Sequence, residues 1–101
     1  MNKTFAIFGA LALLAASTVR AEDQSACETV LCLAGSLQGQ SGGSQCNNPI
    51  KRYFDIKEKD GMGDFDPVRT ADSRMNFLNG CQSVNSNWKK SINDKFGGMK
   101  G

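Results

Sequence analysis

The 101-residue sequence predicts an all-α fold, a small disulfide-stapled bundle of about four short helices preceded by a signal peptide. Three observations carry this expectation. Four segments set apolar residues at helical spacing between start and stop residues, and no alternating pattern long enough for a paired strand occurs. Four cysteines stand in a chain that contains no histidine. The N-terminal stretch is built like an export signal, and export would carry the cysteines into an oxidising compartment.

The first element is the leader, "MNKTFAIFGALALLAASTVRA". Lys3 supplies a positive n-region, Phe5 to Ala16 a twelve-residue apolar core, and Val19-Arg20-Ala21 a small-residue cleavage site. A membrane-spanning helix needs roughly 20 apolar residues, so no stable anchor is expected after cleavage. Cutting between Ala21 and Glu22 would leave a single domain, residues 22–101. Lys3 and Arg20 leave with the signal, so the remaining basic residues balance the ten acidic ones. That balance argues against an electrostatic binder of nucleic acid. Lys51-Arg52 and Lys89-Lys90 read as solvated helix faces.

The mature chain is short for a single core, and some added constraint is expected. Cys27, Cys32, Cys46 and Cys81 supply it as two bridges. Their gaps of four, 13 and 34 residues contain no CxxC, and no histidine can complete a zinc site. The same gap pattern removes the usual dithiol redox motif.

Helices follow in order. Ser25 with Glu28 makes a capping box and Gly35 a stop, so Ser25 to Ala34 reads as a helix with Cys27, Val30, Leu31 and Ala34 on its apolar face. Cys27 and Cys32 would lie about 140° apart around its axis and roughly 8 Å apart along the backbone, too far to bond each other. A connector, "GSLQGQSGGSQ", leads to Asn48 and Pro49, a cap and first-turn pair for "PIKRYFDIKEK", with Ile50, Tyr53 and Phe54 facing the core. "DGMGDFDP" breaks this helix. Thr70 is expected to cap "ADSRMNFLN", with Met75, Phe77 and Leu78 inward and Gly80 as its end. The last helix runs from Asn87 to about Phe96, with Trp88, Ile92 and Phe96 in register and lysines opposite, and Gly97-Gly98 leaves a flexible C-terminal tail.

A hairpin of the first two helices would join Cys32 to Cys46 and leave Cys27 for Cys81. The alternative, Cys27 with Cys46 and Cys32 with Cys81, stays open.

The loop "EKDGMGDFDPVR" imitates a calcium-binding loop, but setting Gly63 as its glycine puts Met62 and Arg69 where oxygen ligands are required, so no metal is expected. Catalysis is reduced to carboxylates. Asp55, Glu58, Asp64 and Asp66 surround this loop without an evident cleft, and neither a catalytic residue nor a cofactor is assigned.

Read together, "CETVLCLAG", a cysteine shortly before "KRYFDI", "FDPVRT" and "RMNFLNGC" resemble the TrbM/KikA family of plasmid conjugal-transfer proteins, over about Ala26 to Gln82. These are small exported proteins encoded among the mating-pair formation genes of Gram-negative bacteria. The resemblance implies that the four cysteines take the family's cysteine positions and that Tyr53, Phe54, Phe77 and Leu78 take its apolar ones. It implies a periplasmic accessory protein of a conjugative type IV secretion system, acting through contacts with protein components of the transfer apparatus. A small exported effector or inhibitor of an envelope enzyme or neighbouring cell is the alternative.

Overall fold

The structure is a computed structural model, and it describes residues 23–101. The expected leader and the cleavage position between Ala21 and Glu22 lie outside the described residues. The described residues form four α-helices: α1 Gln24–Leu37, α2 Asn47–Asp55, α3 Pro67–Leu78 and α4 Ser86–Phe96, with a 3₁₀ turn, Ser44–Cys46, leading directly into α2. Among the described residues the sole extended pairing is an isolated antiparallel bridge, Lys59 to Phe65, at the neck of the acidic loop. The all-α expectation holds.

The helix starts differ from the expected ones: α2 begins at Asn47, straight out of the 3₁₀ turn and without a side-chain cap, so Asn48 lies inside the helix rather than capping it, and side-chain caps set the other three. Asp23 caps α1, its Oδ1 accepting from the amides of Ser25 at 2.9 Å and Ala26 at 3.3 Å, so the helix begins before Ser25 and the Ser25–Glu28 box is not used. Asp66 caps α3, with Pro67 at the first turn, where a missing amide proton costs nothing. Thr70, expected as that cap, is instead buried and its Oγ1 accepts the Glu58 amide at 2.9 Å. Asn85 caps α4 through the Trp88 amide. Helix α1 also runs through Gly35 to Leu37, and α2 ends at Asp55 rather than Lys59.

Helix α1 is the hub. It packs against α2, α3 and α4, and α3 packs against α4. The core is Ala26, Val30, Leu33, Tyr53, Leu78, Cys81 and Ile92, with Ile50, Phe54, Met75, Phe77 and Phe96 partly buried around it. Two disulfides staple this core along α1: Cys27–Cys81 ties its first turns to the segment just past α3, and Cys32–Cys46 ties its middle to the turn before α2. Beside the first bridge the Asp23 amide donates to Gly80 O at 2.9 Å. A Cβ at Gly80 would stand 2.9 Å from Asp23 Cβ, so only glycine lets the cap of α1 lie this close.

Two faces are rotated from their expected positions. On α1 the buried set is Ala26, Thr29, Val30 and Leu33, one residue out of step with the expected stripe, which leaves Leu31 68% exposed. On α4 the buried residues are Lys89 and Ile92, while Trp88 stays 39% exposed. Lys89, expected on a solvated face, instead donates to Cys81 O at 3.0 Å.

Candidate functional site

Burying a cation costs free energy unless its donors are satisfied, and Arg74 on α3 is completely buried. Its guanidinium faces no carboxylate. It donates instead to six backbone carbonyls: Tyr53, Phe54 and Ile56 at the end of α2, and Phe96, Gly97 and Met99 at the end of α4. The distances run from 2.6 Å at Met99 to 3.1 Å at Tyr53, Phe54 and Phe96.

Each helix C-terminus leaves carbonyls without intrahelical partners and carries about half a negative charge, so two such ends supply what a carboxylate would have supplied. The charge also sits 5.1 Å from the Tyr53 ring centre and 5.0 Å from that of Phe54. Burial lowers the Arg74 pKa, an effect the nearby Tyr53 opposes. This cluster organises the fold: it holds the ends of α2 and α4 together and pins residues 97–99, where a flexible tail was expected.

Tyr53 adds a second polar link inside the core. Its hydroxyl donates to Asn93 Oδ1 at 2.6 Å, and Asn93 Nδ2 donates to Ala71 O at 2.9 Å. Burial pushes the phenol pKa up to about 12 against the opposing pull of Arg74.

The carboxylates singled out in the sequence are distributed over turns and caps rather than gathered. Asp60 Oδ1 accepts the amides of Met62 at 2.8 Å and Asp64 at 3.0 Å, closing the loop. Those backbone hydrogen bonds hold its pKa below the usual carboxylate value. Glu58 Oε2 accepts from the Ser73 hydroxyl, Asp66 caps α3, and Asp55 pairs with Lys51 on the surface of α2. Asp64 borders a small cavity of about 250 Å³ with Lys57, Lys59 and Lys100.

Two grooves border α1. A groove of about 540 Å³ runs beside the Cys32–Cys46 bridge, with Glu28 and Arg52 on its walls. A second, of about 400 Å³, lies between α1 and α4 against Val30, Ala34, Val84 and Trp88. Leu31 and Gly35 line both. Arg52 also donates to Ser25 Oγ at 2.7 Å, which fixes its position on the rim.

A sequence model of the TrbM family matches residues 19–96. The chain belongs to the TrbM family. The match extends beyond Gln82, where the resemblance was expected to stop, and takes in all of α4. Membership makes this a conjugal-transfer-related protein. No curated protein and no solved structure matches the chain. Among the described residues no helix is long and apolar enough to cross a membrane.

Sequence reasoning on this TrbM-family chain missed Arg74 and Lys89. A signal for the first was present: Thr70, Arg74 and Leu78 stand at i, i+4 and i+8, so a cation occupies the middle of the inward stripe of α3.

Proposed function

We propose that this protein is a periplasmic accessory component of a conjugative type IV secretion system, acting in plasmid transfer through protein–protein contacts. The observation that carries this reading is the TrbM family match over residues 19–96. Two disulfides in a small core support the compartment, since such bridges persist where thiols are oxidised. The spread of the carboxylates over turns and caps favours contact over carboxylate catalysis.

Deletion of the gene in a donor strain should lower transfer frequency at least a hundredfold. The exported full chain should restore it, and a form begun at Glu22 and retained in the cytoplasm should not. Osmotic-shock fractionation should recover the protein with periplasmic markers. Full restoration by the cytoplasmic form would overturn the periplasmic reading, and accumulation in the medium or in recipients would favour the exported effector.

A further inference from the structure

We propose that Lys57, Lys59 and Lys100 form a binding site for a phosphate group, a property that stands independently of the conjugal-transfer reading. All three lysines border one concavity of about 250 Å³, together with Gly63, Asp64 and Phe65. They reach it from two distant parts of the chain, the segment after α2 and the tail after α4.

Arg74 joins those parts. Its Nε donates to Ile56 O at 3.0 Å and its Nη1 to Met99 O at 2.6 Å, so the buried guanidinium holds the residue before Lys57 and the residue before Lys100. The tail then passes Lys57 so closely that a Cβ on Gly101 would stand 3.7 Å from Lys57 Nζ. Across the concavity, the antiparallel bridge from Lys59 to Phe65 fixes Lys59 at the neck of the loop.

Like charges gathered around a concavity raise its potential and draw an anion into it. Among the described residues none of the three ammonium groups forms an ion pair; the pairs are Lys51–Asp55 and Lys90–Asp94. The nearby carboxylates are engaged elsewhere. Glu58 Oε2 accepts from the Ser73 hydroxyl, Asp60 Oδ1 accepts from two loop amides, and Asp66 caps α3. Asp64 is the carboxylate in the lining, so three cations face one opposing charge.

Chemistry and size select the ligand. A planar carboxylate is matched by the guanidinium fork of arginine, whereas ammonium groups act as point charges and suit an anion that presents oxygens in several directions. Phosphate does so. The concavity is smaller than the roughly 300 Å³ at which pockets for drug-sized molecules begin, which fits a single phosphate group, free or on a lipid headgroup.

The test uses the purified protein with both disulfides formed. Inorganic phosphate and pyrophosphate are titrated while amide NMR signals are followed, and co-sedimentation is measured with vesicles of phosphatidylglycerol and of phosphatidylcholine. Both anions should move the amide signals of Lys57, Gly63 and Lys100. Lys57→Gln with Lys100→Gln should weaken pyrophosphate binding at least about tenfold with Tm unchanged. Arg52→Gln with Lys90→Gln, the same change of charge outside the concavity, should leave binding within about twofold of the parent. Asp64→Asn removes the opposing charge and should tighten it. Co-sedimentation with phosphatidylglycerol but not phosphatidylcholine, lost in the Lys57 and Lys100 variant, would support the site with a headgroup as the source, and binding of the two anions without co-sedimentation would support it with free phosphate. No binding of either anion or of phosphatidylglycerol vesicles would overturn the proposal. Equal weakening in the two double variants, or weaker binding in Asp64→Asn, would overturn it as well, since the three lysines would then not be the site.

Discussion

Arg74 shows how a charge can be buried without an opposite charge. Six carbonyls from two helix ends and two aromatic faces take the place of a carboxylate. Lysine keeps the charge but presents a single ammonium that cannot span both ends, so Arg74→Lys should cost at least about 2 kcal/mol. Arg74→Met removes every donor and should cost more. Urea denaturation measures both, and limited proteolysis should show residues 97–101 released in each variant. Tyr53 gives a pH test. The phenol loses its proton near its ordinary value of 10 in the unfolded chain and near 12 in the fold. Its contribution is therefore complete below pH 10 and is lost as pH rises toward 12. Tyr53 is the sole tyrosine, so tyrosinate absorbance should titrate at about 12 in the folded protein and near 10 in urea. Tyr53→Phe should remove that part of the alkaline slope, separating it from the lysines.

Three of the four helices described, α1, α3 and α4, owe their starts to aspartate or asparagine caps. Asp66 followed by Pro67 opens α3, while Gly35, a stop by composition, lies inside α1. Replacing a capping aspartate with alanine typically costs about 1 kcal/mol, and Asp66→Ala should lose that amount in urea denaturation without changing the denaturant slope. Thr70→Ser, which keeps a hydroxyl for the Glu58 amide, should be milder than Thr70→Val, which leaves that amide without its partner. The exposed pairs Lys51–Asp55 and Lys90–Asp94, at 2.7 Å each, are both more than half solvent-accessible and add little. Their alanine variants should leave the urea midpoint close to that of the parent.

For the whole molecule, α1 is the element on which everything else converges, and the two bridges hold it to the other helices. In the chain-entropy account the Cys27–Cys81 bridge, closing 54 residues, contributes about 4 kcal/mol, and Cys32–Cys46, closing 14, about 3 kcal/mol. The double variant Cys27→Ser with Cys81→Ser should therefore be less stable than Cys32→Ser with Cys46→Ser by about 1 kcal/mol. Both contributions are comparable to the total stability of a small domain, so either variant should also lower the periplasmic level of folded protein. Transfer frequency has to be scored against that level. Non-reducing digestion with mass spectrometry reads the pairing directly, and a peptide joining Cys27 to Cys32 would contradict the helical geometry of α1.

The sequence by itself determined the helical class and the approximate position of every helix, because apolar spacing and turn-forming residues are local properties of the chain. It determined that the cysteines serve as bridges, because their spacing and the lack of histidine leave little else. It also carried the family, through motifs whose order survives without any coordinates. Only the tertiary structure decided which carbonyls surround Arg74, why Lys89 is inside, and why Leu31 and Trp88 are outside. The face of a helix that is buried depends on the direction from which its neighbours arrive. Helix α1 has neighbours on several sides and a mixed composition, so a shift of one residue left its periodicity plausible while turning Leu31 to solvent. The environment of Arg74 was even less legible, since its acceptors are main-chain oxygens that every residue possesses. They become a binding site for a cation only when two helix ends, at Asp55 and Phe96, are brought to the same place.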